Sequence, residues 1–442
     1  MSLTKKESDE ITNRIMSFVD ADDAEVSVRD NRSSNLRFAN NQLLTSGSID
    51  ERSASVTVWE KGRSGSSSTT DLSDAGLKQM VRAAQDMAKI SPVDREYLPT
   101  LGPQKYVETP SYAAASENVS LRNRAKSVGN VLDLSQKAGT ITAGFHESEA
   151  SATGFRSKNG NFGFEKESYA SLSVTARTSD GRSSGYYERG NNDASKIDIQ
   201  EIARSAIRKA VEGRDAKSLD PGIYAVVLEP QAVGDLIGNL GFQFDARRAE
   251  EGRSPFSATG GKTRLGEKVF DSKLDIYSDP WDPEVPASGI GPGRLPAKRV
   301  DLIKGGELKN LVYSRFWASK KEVEPTHGPS NLIMRSNKGV TKTSEMISAT
   351  KRGLLISRFW YIRATDPRTA SFTGLTRDGV WLIENGKISS PVNNFRFNQS
   401  VMKMLSEGNV DAIGSPERIG RNSLLPALLL KEFNFTSVSQ AV

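Results

Sequence analysis

His146 and His327 are the only histidines in 442 residues, and there is no cysteine. Thiol nucleophiles and every zinc site with a sulfur ligand are thereby excluded. His146-Glu147 has the opening of a zinc-protease helix, but Ala150 and Ser151 stand where the second histidine is required. The surrounding 140–149 reads as a strand, with His146 expected on the surface. His327 lies in Glu324–Pro329, a loop bracketed by prolines. An imidazole of pKa about 6.5 suits a general base there, and equally a plain loop residue. Gly260-Gly261-Lys262-Thr263 hints at a phosphate loop, yet Phe256 occupies the place of the first glycine. Gly252–Phe256 lacks the second glycine of a nucleophile elbow. A carboxylate-only Mg²⁺ or Ca²⁺ site stays open, without EF-hand spacing.

The most distinctive text runs from Gly353 to Asn398. Arg358, Arg363, Arg368 and Arg377 alternate there with aromatics, and Asp378-Gly379 and Asn385-Gly386 are turn pairs of the kind hairpins favour. Such a block reads in two ways. It is a groove that grips a peptide backbone or carboxylate, or its arginines pair with nearby acids while its aromatics fill a core.

The elements that position these residues divide the chain in three. A helix is expected over 5–19, strands at 24–29 and 53–59, a turn at 61–65 and a helix over 73–89 capped by Ser73. The pattern then recurs at an offset of about 116–119 residues. Glu51–Val58 matches Glu167–Val174, Gly62-Arg63-Ser64 matches Gly181-Arg182-Ser183, and Asn35–Phe38 matches Ala152–Phe155. The helix over 73–89 matches one over 198–212, and internal duplication accounts for the recurrence. Residues 91–112 form a proline-bearing linker, followed by a helix over 113–138. After residue 220 come a strand at 224–228, a helix at 231–240, and strands at 308–317, 353–363, 378–384 and 387–390. A last helix is expected over 398–406. The fold class is α+β: duplicated α/β two-layer units over 1–110 and 111–219, then a mostly antiparallel β domain over 220–442.

Composition narrows the functional classes. Net charge is +6, from 60 bases and 54 acids, so strong direct nucleic-acid binding is not expected. The longest greasy stretch, Leu424–Leu430, contains Pro426, and no membrane span is expected. Residues 1–16 lack the apolar core of a secretory signal. A cytoplasmic protein fits these features.

The block 353–398 closely resembles the TldD/PmbA family, once known as modulators of DNA gyrase and later as peptidases. Arg37–Asn41, Gly62–Gly65 and Asp71–Ser73 resemble its first domain, 113–215 its middle domain, and the strand 224–228 the opening of its last. The resemblance implies a heterodimer enclosing a chamber. One subunit carries a His-Glu-x-x-x-His metal helix that cleaves unfolded peptides, and the other lacks it. Here Gly238, Asn239 and Gln243 stand at the three motif positions. No histidine occurs between 147 and 326, and the family's cysteine ligand is absent.

The resemblance therefore implies a chain with no metal or other cofactor of its own, paired with a metal-bearing paralogue or with itself. Its substrates are unfolded or leader peptides. Arg358, Tyr361, Arg363, Asp366 and Arg377 are its candidate peptide-binding or structural residues. Arg358 and Asp366 are expected to serve structure or partner binding rather than bond breaking.

Overall fold

The computed structural model describes residues 2–439. Each copy of the repeat folds as helix, antiparallel meander, helix. The first comprises α1 (Lys5–Met16), β1 (Asp23–Ala39), β2 (Gln42–Glu60), β3 (Arg63–Thr69) and α2 (Asp74–Ile90). Thr4 and Glu7 close a capping box on α1, and the Ser73 hydroxyl accepts from the Gly76 N–H at the start of α2. The second comprises α3 (Ala114–Glu117), α4 (Leu121–Lys137), β4 (Thr140–Ser157), β5 (Phe162–Thr178), β6 (Ser184–Asn191) and α5 (Ile199–Glu212). The helix expected over 113–138 is thus two helices, because Ser120 leaves helical geometry to cap α4.

The two copies share one sheet, in the order β3-β2-β1-β4-β5-β6. β1 and β4 pair antiparallel at its centre, from Glu25 opposite Ser157 to Phe38 opposite Gly144. Two glycines at equivalent places show why the duplication is written as it is. A Cβ on Gly65 would strike the Ala84 carbonyl and come within 2.5 Å of the Ala88 nitrogen of α2. A Cβ on Gly185 would strike the Ala206 carbonyl and come within 2.6 Å of the Ala210 nitrogen of α5. In both copies the edge strand touches its helix backbone to backbone, over alanines four residues apart.

His146 lies in β4 as expected, but it is buried rather than on the surface. It shares parity with Thr142, Ala150 and Ala152, the inward positions of the strand. Burial, then the Arg124 guanidinium, lowers its pKa to about 4.

The rest of the chain builds a 13-stranded mixed, mostly antiparallel sheet. Its strands are β7 (Gly222–Leu228), β8 (Leu274–Ser278), β9 (Val300–Lys304), β10 (Glu307–Leu308), β11 (Leu332–Ser336), β12 (Arg352–Ile356), β13 (Phe359–Asp366), β14 (Ser371–Thr376), β15 (Val380–Glu384), β16 (Lys387–Pro391), β17 (Asn394–Ser400), β18 (Val410–Ile419) and β19 (Ser423–Ser439). Short helices intervene: α6 (Pro230–Ile237), α7 (Ala246–Glu250), α8 (Arg315–Lys321), α9 (Thr343–Ala349) and α10 (Val401–Met404). The greasy run 424–430 lies in β19, hydrogen-bonded to β18 and β7, which explains an apolar stretch without alternation. Among the described residues the parallel strand pairs are β7–β12 and β11–β19. The core gathers Phe359, Phe397, Phe433 and Phe435, with the Phe359 and Phe433 rings stacked 5.3 Å apart.

Several expected elements shift. The strand read over 308–317 ends at Leu308. Val312 instead exchanges backbone bonds with Phe244 and Ala246, and Ser314 caps α8 so that Trp317 can be buried. The strand over 353–363 breaks at Ser357-Arg358, the helix at 231–240 ends at Ile237, and the helix over 398–406 shrinks to α10 because β17 runs to Ser400. Asn385-Gly386 makes a two-residue hairpin turn between β15 and β16, both residues at positive φ. Asp378-Gly379 does not, since β14 and β15 are not neighbours.

Charged residues tie the six-stranded sheet to the C-terminal body. Arg294 binds Glu25 at 2.8 Å, and Glu149 meets both Arg29 and Arg421. Glu165 accepts from the Ser288 hydroxyl at 2.5 Å. Burial, reinforced by Glu167, lifts the Glu165 carboxyl to about 7 despite Ser288 and Arg294. A carboxyl raised above its unfolded value stabilises the fold below the unfolded pKa, and that stability is lost as pH rises through 7. Glu165→Gln is therefore expected to stabilise the chain at pH 8 by about 2–3 kcal/mol and to change little at pH 4.5. Urea denaturation at the two pH values checks this, and an equal change at both would refute it.

Candidate functional site

The two stretches singled out from the sequence meet. α6 opens on Pro230, a residue suited to a first helical turn, and buries Ala232, Val233, Leu236 and Ile237. Asp235 is the one acid of this helix. It accepts from the backbone N–H of Phe359 at 2.8 Å and from the Gln231 amide at 2.9 Å. α6 is thereby bound to the first residue of β13. Burial lifts the Asp235 carboxyl to about 6, against those two hydrogen bonds and the Arg358 charge.

Beyond Ile237 the helix stops. Gly238 is its exposed C-cap, and Asn239 is also exposed, donating its side-chain amide to the Asp235 carbonyl at 2.9 Å. Gln243 sits in the separate short turn Gly241–Phe244, where it is buried and its Oε1 has no partner among the described residues.

β13 starts with a stack of charges and rings. The Arg358 guanidinium lies 3.7 Å from the Tyr186 ring of β6 and 5.0 Å from the Trp360 ring. Arg377 approaches Trp360 at 5.0 Å as well. Beneath them Asp378 is 1% exposed. It takes Arg358 Nη1 at 3.1 Å on one oxygen and the Ser184 hydroxyl at 2.7 Å on the other. Its φ of 57° lies in the left-handed region, which aspartate tolerates. Alongside, Lys209 of α5 pairs with Glu229 at 2.5 Å, and Ser357 donates to the same carboxylate at 2.9 Å. This cluster fastens β6 and α5 to the C-terminal sheet.

Further along, β13 turns outward. Among the described residues its strand partner is β14, with an irregular register between Trp360 and Arg363. Tyr361, at φ 54° and 61% exposed, occupies the bulge, and Arg363 covers its ring at 4.7 Å. Asp366 is at the far end. It caps the turn Pro367–Thr369 by accepting from the Arg368 N–H at 2.9 Å, and that bond, with the Arg368 charge, lowers its pKa. Arg358 and Arg377 are thus brought together, Tyr361 and Arg363 share an exposed strand, and Asp366 serves a local turn.

Family models match most of the chain. The PmbA/TldA metallopeptidase domain 1 matches residues 24–88, the central domain 105–214 and the C-terminal domain 221–437. The chain belongs to the TldD/PmbA family. A relative from Methanothermobacter thermautotrophicus named a metalloprotease is 25% identical over 330 residues, 70% of this chain and 68% of that protein. A Synechocystis protein, also named a metalloprotease, is 24% identical over 246 residues, 53% of this chain and 50% of its own. Two solved structures share the fold. TldE from Thermococcus kodakarensis superposes with a TM-score of 0.86 at 16% identity, covering 97% of this chain and 99% of that one. A Thermotoga maritima protein, named for modulation of a DNA gyrase, gives 0.85 at 17% identity, covering 97% and 100%.

A metallopeptidase family implies a metal, and the residues that the resemblance places at the motif positions offer it no imidazole or carboxylate. Gly238 has no side chain, the Asn239 amide is engaged by the helix end, and Gln243 offers only a neutral amide. Among the described residues no three His, Asp or Glu side chains gather as a ligand set. His327 is buried against Gly291, with no hydrogen-bond partner on either ring nitrogen among the described residues, and burial lowers its pKa to about 4. Among the described residues neither ring nitrogen has a partner that would orient it as a general base.

Sequence reasoning missed Asp235, Asp378, Ser184 and Tyr186. Asp235 carried a usable signal, being a lone acid inside an apolar helix. Ser184 and Tyr186 carried none, because their partners lie almost two hundred residues away.

Proposed function

We propose that this chain is the metal-lacking subunit of a two-subunit peptidase. It completes a chamber with a metal-bearing relative and holds an extended peptide for cleavage there. The observation that carries the reading is the end of α6. Where a hydrolytic metal needs a helix with two imidazoles and a carboxylate, this chain ends its helix on Gly238 and buries Gln243. The outward edge of β13 supports the peptide role. An extended substrate gains main-chain hydrogen bonds by adding to such an edge, and Tyr361 and Arg363 stand exposed beside it.

The test is to purify the chain alone and together with a relative carrying His-Glu-x-x-x-His. Alone it is expected to hold no stoichiometric metal and to leave an unstructured peptide intact. The pair is expected to cleave it. Tyr361→Ala with Arg363→Ala in this chain is expected to raise KM of the pair about three- to tenfold while assembly persists. Stoichiometric zinc in the chain alone, or cleavage by it, would overturn the reading. Recovery of a stable homodimer that binds peptide and no relative would replace it with a scaffold.

A further inference from the structure

Among the described residues, the linker between the repeats leaves part of one edge of β5 uncovered, the other edge being paired with β4 throughout. The Ser168 N–H donates to the Ser111 carbonyl at 2.9 Å, and the Ser111 hydroxyl donates to the Lys166 carbonyl at 2.9 Å. Even-numbered residues of β5 therefore turn their backbone groups to this side. β6 covers the strand only from Ala170 onward. Toward the start of β5, the next linker attachment is the Gln104 N–H on the Asn161 side-chain oxygen, at 3.1 Å.

Between these two pins the linker bows outward, held by the C-terminal body. The Trp281 indole donates to the Glu108 carbonyl at 2.9 Å, and the Tyr106 hydroxyl donates to the Arg294 carbonyl at 2.7 Å. Among the described residues no backbone hydrogen bond joins the linker to Phe162 or Phe164. The gap is a cleft of about 640 Å³, open to solvent, whose floor is residues 162–166. At about 3.3 Å per residue those five present roughly 15 Å of strand edge.

Charge selects the occupant. Lys5, Lys105 and Lys166 line the cleft against Glu108 and Glu165, and Glu165 is already engaged by Ser288. The carboxyl of Glu165 also holds its proton to about pH 7, so the mouth is cationic.

We propose that this cleft binds an acidic, extended peptide segment as an added strand on the free edge of β5 at residues 162–166. Main-chain bonds to Phe164 and to the Lys166 N–H supply the register, the Lys166 carbonyl being already held by Ser111, and the three lysines supply the preference for acid side chains. The site lies on the other sheet from β13, and it stands or falls independently of the metal-lacking reading.

The test uses the full chain and a capped pentapeptide of alternating glutamate and valine. Its controls are the same peptide N-methylated on the edge-facing amides and a lysine–valine counterpart. Binding is read by fluorescence anisotropy and by hydrogen exchange of the fragment covering 162–168. The expected result is saturable binding that slows exchange there about tenfold or more and leaves 359–366 unchanged. Lys5→Glu with Lys105→Glu, both on exposed side chains, is expected to weaken binding about three- to tenfold. Absence of binding at millimolar peptide, equal binding of the N-methylated peptide, or equal binding of the lysine peptide would each overturn the proposal.

Discussion

Asp378→Asn is expected to destabilise the chain by about 3 kcal/mol, the range for removing one partner of a buried ion pair. Asparagine keeps the shape, tolerates the left-handed φ of 57°, and still offers Ser184 an acceptor. What it loses is the charge facing Arg358. That guanidinium is held between the Tyr186 and Trp360 rings, 16% exposed. Water reaches it only if the seam opens. Asp378→Ala adds a backbone penalty of about 1 kcal/mol at that φ and strands the Ser184 hydroxyl.

Because Ser184 is on β6 and Asp378 precedes β15, the loss is expected to show first as loosening between the two sheets. A chain of this size need not unfold in one step. Hydrogen exchange of β6 and β15 is therefore the measurement, alongside urea denaturation. If Asp378→Asn stayed within about 0.5 kcal/mol of the parent, and exchange at the seam were unchanged, Asp378 would not be the latch.

The same cluster shows where the sequence stops being legible. Arg358 and Arg377 stand out by composition, and pairing with nearby acids was one reading of the block, but Asp378 neighbours Arg377 alone in the chain and Arg358 reaches it from twenty residues away. Two readings of the block were open: Arg358 pairs with Asp378 and lies on the Tyr186 ring, while Tyr361 and Arg363 face outward. The repeat was legible because strands, turn and helix recur in order, as in Glu51–Val58 against Glu167–Val174 and Gly62-Arg63-Ser64 against Gly181-Arg182-Ser183. His146 was misjudged for want of its strand's parity, since Thr142, Ala150 and Ala152 share its inward face. The strand read at 308–317 failed for a different reason. Its apolar residues serve a loop tied to Phe244 and a helix start at Ser314, and a short apolar run does not distinguish these. The separation of Gly238 and Asn239 from Gln243 depends on where α6 ends, a boundary that periodicity fixes poorly.

The duplication makes a second prediction with a built-in control. Gly65→Ala and Gly185→Ala are each expected to destabilise their own unit by about 3 kcal/mol, the upper part of the overpacking range. The obstacle in each is backbone: the Ala84 carbonyl and Ala88 nitrogen in one copy, the Ala206 carbonyl and Ala210 nitrogen in the other. A side chain could rotate away, but a helix backbone moves only by lifting the whole helix from its sheet. That lift would uncover Met80 and Val81 in the first unit, or Ile202 and Ile207 in the second. Gly181 is the comparison. It belongs to the turn before β6, has φ of 72°, and has open space around its would-be Cβ. Gly181→Ala meets only left-handed strain, about 1 kcal/mol. Urea denaturation of the three variants, with exchange in α2 and α5 as local probes, separates the effects. Matching losses for Gly65→Ala and Gly185→Ala, each confined to its own helix, would establish that both copies depend on the same contact. A loss at Gly185→Ala no larger than at Gly181→Ala would mean that α5 shifts freely over β6, and that close packing is not what the duplicated glycines preserve.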